Sequence, residues 1–166
     1  MPREDFDRDL RQLQDDLFVL GSMVEKAIAR SIDALKTRDT DSSRDVVKED
    51  DYIDQKRYEI EERCVNLIAT QQPMAVDLRT LIAIMHIAIE LERMGDYAEG
   101  IAKISIAIGD EPPLKPLIDI PRMAVKASDM LSRSLDALVK RDLVGAIQVC
   151  NDDDEVDALY DQVYRE

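Results

Sequence analysis

Gln71-Gln72-Pro73-Met74-Ala75-Val76-Asp77-Leu78-Arg79-Thr80 decides how this chain folds, because its proline separates two long runs of helical periodicity. Proline lacks an amide proton and disfavours helical geometry in the residue before it, so a helix arriving from the N-terminal side stops near Gln72. On that side Val46, Ile53, Ile60, Cys64 and Leu67 fall at helical steps, and a start near Asp41 or Ser42 is expected because both are N-cap residue types. On the other side the pattern runs from about Met74 to Ile108 and is closed by Gly109 and Pro112-Pro113. Two long helices joined by so short a turn fold back antiparallel.

The same periodicity extends in both directions. Upstream, Phe6, Leu10, Leu13, Leu17, Leu20, Val24, Ile28 and Ile32 lead on to Leu35 in steps of three and four, and Thr37 to Asp41 end this first helix. Downstream, the stretch from Glu111 to Pro121 holds four prolines and reads as a linker. Met123, Ala127, Leu131, Leu135 and Leu138 then begin a fourth helix, and residues 146–163 a fifth. Composition agrees with an all-α antiparallel bundle: 45% hydrophobic residues but only 4% aromatic, 35% charged and no Trp.

A formal charge of −14 repels phosphate backbones and anionic lipid, which argues against nucleic acid or membrane surfaces as direct partners. The apolar stretch from Ala83 to Leu91 contains His86 and Glu90 and is far shorter than the roughly 20 residues that cross a bilayer. Met1-Pro2-Arg3-Glu4-Asp5 has no apolar signal core, and Cys64 and Cys150 form neither a disulfide framework nor a metal-binding spacing. A cytoplasmic location is expected, with both cysteines read as buried packing.

The chain repeats itself at an offset of 103 residues. Ser31-Ile32-Asp33-Ala34-Leu35 matches Ser134-Leu135-Asp136-Ala137-Leu138, and Arg38-Asp39 matches Arg141-Asp142. Asp50-Asp51-Tyr52-Ile53-Asp54 matches Asp153-Asp154-Glu155-Val156-Asp157. The expected organisation is a three-helix unit over 1–110, a Pro-rich linker over 111–121 and a partial second unit over 122–166, about five helices with the second repeat incomplete. Helices four and five are then expected to expose apolar stripes that a sixth helix would cover, which favours dimerisation or disorder near the C-terminus.

Carboxylates interrupt both long stripes beside the Pro73 turn. A walk along the second helix from Val46 meets Asp50, with Asp54 one turn on; a walk of Leu78, Ile82, Met85 and Ile89 along the third leads to Glu92 and Asp96. In an antiparallel hairpin, residues whose numbers average to the turn lie level with each other. Asp54 and Glu92, and likewise Asp50 and Asp96, average to 73, so four carboxylates are expected in one patch at a helix seam. Such a patch calls for a cation, and all-oxygen donors favour Mg2+, Mn2+ or iron over a thiolate and imidazole zinc site, although ligand type alone does not settle the metal. The plainer reading is an exposed ion-pair network in which Arg57, Arg79 or Arg93 neutralises the acids. The mirror placement and the acidic echo at Asp153 and Asp157 favour metal.

The residues Gln72-Pro73-Met74-Ala75-Val76-Asp77-Leu78-Arg79, with Glu92-Arg93-Met94-Gly95-Asp96 after them and Asp50-Tyr52-Ile53-Asp54 before, closely resemble the signature of PhoU proteins. The resemblance implies two three-helix units, each carrying acidic E/D-x-x-x-D motifs on two helices that bind multinuclear metal clusters. It assigns metal-ligand roles to Asp50, Asp54, Glu92 and Asp96, and to Asp153 and Asp157 in a half-represented second site. It also implies negative regulation of phosphate-starvation signalling by a homodimeric adaptor linking a phosphate ABC transporter ATPase to a sensor histidine kinase, with iron, manganese, magnesium or zinc as cofactor and no enzymatic activity. Two rivals are a carboxylate-bridged di-metal oxidoreductase and an inert dimerising bundle. The first normally uses Glu-x-x-His pairs, whereas the sole histidine, His86, has Ala83 at that spacing and reads as a packed core residue.

Overall fold

The computed structural model describes residues 2–112 and 115–165. Pro113 of the expected closing pair and Leu114 of the linker therefore lie outside the described residues, as do Met1 and Glu166. Five helices form: α1 (Pro2–Thr37), α2 (Thr40–Gln71), α3 (Val76–Ile108), α4 (Asp119–Lys140) and α5 (Leu143–Arg165). Among the described residues no helix is long and apolar enough to cross a membrane.

The boundaries move by a few residues for local reasons. Asp39, rather than Asp41 or Ser42, caps α2, its side chain accepting from the amides of Asp41 and Ser42 at 3.1 and 3.0 Å. Gln72 ends α2 in the left-handed region, and its N–H returns to the Ile68 carbonyl. α4 starts at Asp119, inside the stretch read as linker. Pro121 is compatible with that start because it falls in the first turn, where backbone N–H groups have no intrahelical partner.

Helix α1 is the spine. It packs against α2, α3 and α4, whereas α5 packs against α4. Leu13, Leu17, Leu20 and Val24 of α1 are almost wholly withdrawn from water and meet Ile60 and Cys64 of α2 and Leu81, Ile84 and Ala88 of α3 in one core. Buried Asp16 ties α1 to α2 through Lys56, whose Nζ lies 2.7 Å away, and through Arg63.

The repeat read from sequence is visible bond by bond. After α1 the Asp39 N–H donates to the Ala34 carbonyl at 3.0 Å, and after α4 the Asp142 N–H donates to the Ala137 carbonyl at 2.9 Å. Arg38 and Arg141, the residues just before, both take positive φ, as this type of helix ending requires. The ion pair Arg30–Glu49 joins α1 to α2, and its equivalent Arg133–Asp152 joins α4 to α5.

Beyond this shared hairpin the halves differ in what covers them. Leu143, Val144, Ile147 and Tyr160 of α5 are exposed, as expected for stripes without a covering helix. An apolar groove of about 450 Å³ runs between α3 and the α4–α5 pair, past Leu91, Met94, Leu131 and Leu135. A second apolar hollow of about 300 Å³ shares Met94, Ala127 and Val156 with it.

Two glycines give opposite expectations. A Cβ on Gly21 would stand 2.3 Å from Leu135 Cδ1 at the α1–α4 crossing, whereas a Cβ on Gly100 meets nothing within 4 Å among the described residues. Gly21→Val is expected to destabilise the protein by about 1–3 kcal/mol through overpacking. Gly100→Ala is expected to stabilise it by about 0.5–1 kcal/mol through helix propensity. Urea midpoints at constant m-value read both.

Candidate metal centre

Pro73 places the acidic turns of α2 and α3 against each other. Asp50, Asp54 and Asp96 each offer a carboxylate oxygen, and these oxygens lie within 4.8 Å of one another. It is the single group of three or more metal-donor side chains found at such range among the described residues. A close helix approach lets them meet: a Cβ on Gly95 would sit 3.1 Å from Ile53 and 3.3 Å from Asp50 Oδ1. Glycine at 95 thus leaves the space that the Asp50 carboxylate uses.

The cluster is under electrostatic strain. Burial, then repulsion from Glu99, Asp54 and Asp96, pushes Asp50 from 3.8 up to about 6, opposed by Lys103. Burial and the Asp96 charge raise Asp54, with Arg57 opposing. The buried Asp54 Oδ1 has no hydrogen-bond partner among the described residues. An orphaned anionic oxygen facing two other carboxylates is a donor set that fits a hard cation.

Glu92 stands slightly apart from this triad. Its Oε1 lies 3.8 Å from Arg57 Nη2, and Arg57 also donates to Glu61 at 2.6 Å and stacks over the Tyr58 ring at 3.6 Å. Burial raises the Glu92 pKa, the Arg57 charge lowers it, and Asp96 and Asp54 raise it again, which places its charge within reach of the triad. Arg93, another candidate neutraliser, pairs with Glu90 instead. Asp153 and Asp157 lie exposed on α5, with Asp153 on the wall of the apolar groove.

Several expectations are corrected. The buried face of α3 is Leu81, Ile84, Ala88, Leu91, Gly95, Ala98, Ala102 and Ser105, not the stripe through Ile82 and Ile89, which are both exposed. Glu92 and Asp96 therefore flank the seam rather than continue a buried stripe. His86 is exposed and lines the groove, so it is not a core histidine; Cys64 is buried but Cys150 is exposed. Glu99 and Lys103, outside the expected ligand set, follow Asp96 at i+3 and i+7 and are joined at 2.6 Å. Continuing the helical walk two steps past Asp96 would have found them.

Asp50 makes the metal-free fold sensitive to pH. Because its folded pKa lies above the unfolded value, the contribution of its protonated form is complete below about pH 4 and is lost as pH rises through about 6. Asp50→Asn is therefore expected to gain on the metal-free wild type between pH 4 and 7, by on the order of 1 kcal/mol once solvent screening is allowed for. Chelator-treated thermal melts across that range measure the difference.

Comparison with known proteins adds independent observations. The model of the PhoU domain family matches residues 18–105 and 120–166. A relative from Clostridium acetobutylicum, named phosphate-specific transport system accessory protein PhoU homolog, is 40% identical over 100% of this chain and 76% of its own length. A second protein of that name, from Aquifex aeolicus, is 37% identical over 96% of this chain and 72% of its own. Among solved structures, PhoU from Pseudomonas aeruginosa superposes with a TM-score of 0.90 at 31% identity, covering 96% of this chain and 77% of that one. The phosphate transport system regulatory protein PhoU from Streptococcus pneumoniae gives 0.86 at 29% identity, covering 93% and 73%.

Proposed function

This chain belongs to the PhoU family, and we propose that it is a metal-binding accessory regulator of phosphate transport that works by protein contact rather than catalysis. The single observation supporting metal is the α2–α3 seam, where Asp50, Asp54 and Asp96 converge around an orphaned oxygen. Those three would hold the metal and Glu92 would flank it, with iron, manganese or magnesium favoured by the all-oxygen donors and zinc less so. When bound, the metal supplies positive charge that relieves the repulsion and fastens α2 to α3. Asp153 and Asp157 would contribute to a second site only with ligands from elsewhere. The rival di-metal oxidoreductase reading loses support because His86 lines the groove and not the seam.

The adaptor role has its support in the relatives' names and in the protein's surface. In this reading the chain sits in the cytoplasm, contacts the phosphate transporter ATPase and the sensor histidine kinase, and holds phosphate-starvation signalling down. The apolar groove between α3 and α4–α5 suits a homodimer contact. Immobilised chain is expected to retain the ATPase or the kinase domain; retention of neither, with or without metal, would refute the adaptor role. Light scattering is expected to give twice the 18.9 kDa chain mass, and a monomer at micromolar concentration would refute the dimer.

A further inference from the structure

Resting on the metal-binding reading above, we propose that Lys103 is a tethered counter-cation of the carboxylate cluster, held to it through Glu99 in the metal-free protein and displaced in that role when a divalent metal enters. The geometry begins with α3, where Asp96, Glu99 and Lys103 stand at i, i+3 and i+7 and so share one helix face. Lys103 Nζ lies 2.6 Å from Glu99 Oε1. The two ends differ in surroundings: the Glu99 side chain is 20% exposed and the Lys103 side chain 59% exposed. The carboxylate is thus turned toward the protein, and the ammonium reaches in from the solvent side along its aliphatic stem.

Glu99 is part of the cluster's electrostatics. Its charge is the strongest of the neighbours acting against ionised Asp50, and it acts in the same sense on Asp54. Lys103 opposes it at Asp50, and its own ammonium is favoured by Glu99, Asp50 and Asp96. Arg57 serves the opposite end, at Glu92. One flexible ammonium therefore serves Asp50, Asp96 and Glu99, while Arg57 serves Asp54 and Glu92. Lys140–Asp136 shows what an ordinary pair of this spacing looks like: it is also i,i+4, at 2.9 Å, but both side chains are well exposed and neither faces the triad.

A tethered cation and a bound metal compete for the same negative charge. Removing the ammonium should leave the metal-free site more repulsive and the metal-bound site better satisfied. Loss of an ordinary surface pair would weaken both states alike. The opposite signs in the two states set a counter-cation apart from a merely structural lysine.

Calorimetric titration of the full chain with Mn2+, paired with thermal melts, reads this. Lys103→Gln is expected to bind Mn2+ about three- to tenfold more tightly while its metal-free Tm falls. Lys103→Arg should keep wild-type affinity, Glu99→Gln should weaken binding severalfold, and Lys140→Gln should leave Mn2+ affinity unchanged, with any small loss of Tm equal in both states. Wild type that binds Mn2+ with Lys103→Gln unchanged or weaker would overturn the counter-cation and leave the metal site standing. Wild type that takes up no Mn2+ would overturn the metal reading, and the counter-cation with it.

Discussion

Asp50→Asn combined with Asp54→Asn is expected to strip the protein of tightly held metal, lowering affinity on the order of a hundredfold or more, while raising the melting temperature of the metal-free form. The two effects have one cause. Asp50 and Asp54 are both held above the ordinary carboxylate range by burial and by each other's neighbours, so removing their charge relieves the empty seam. With metal present the sign reverses, because the wild type gains binding energy that the variant cannot. Metal content after purification and melts with and without chelator report the crossing. Equal metal content in the double variant would mean that the cation sits elsewhere.

The second large effect is expected in the core. Leu20 of α1 has 0% of its surface exposed and lies in the cluster that joins α1 to α2 and α3. Leu20→Ala removes buried methyl groups and leaves a cavity that rigid neighbouring helices cannot close, so it is expected to cost about 2–5 kcal/mol. Val144→Ala on α5, where the side chain is 67% exposed, should stay within about 0.5 kcal/mol. Chemical denaturation monitored by circular dichroism separates the two. A small loss at Leu20 would mean that α1 is not the spine of the bundle.

Much of this architecture is readable without coordinates, because long helices advertise themselves through spacing. The break at Pro73 and the averaging of residue numbers about it place Asp50 opposite Asp96, and the structure brings both into one cluster with Asp54. The repeat likewise carries over into matching helix endings at Arg38 and Arg141. The buried face of α3 was harder to read. It is lined partly by Ala88, Gly95, Ala98 and Ala102, small residues that allow close helix approach but score weakly as hydrophobic, while the larger Ile82 and Ile89 stand outside. A walk guided by side-chain size follows the isoleucines and lands one face away.

His86 and Cys150 are both exposed, against the burial that their residue types suggest. Residue type sets a preference for burial, but which face of α3 lines the groove beside α4 and α5 decides the exposure of His86, and that is a tertiary fact. Glu99 and Lys103 fall outside the four-residue acidic spacing that marks Asp50–Asp54 and Glu92–Asp96 in the sequence. Their part in the cluster depends on which way α3 faces α2, and that follows from the fit of Gly95 against Ile53.

Crystals grown with Mn2+ and measured at the manganese absorption edge go straight to the seam. An anomalous peak bounded by the carboxylates of Asp50, Asp54 and Asp96 is the expected result. No peak there at saturating Mn2+, or a strong one on α5 with those three aspartates unliganded, would contradict it.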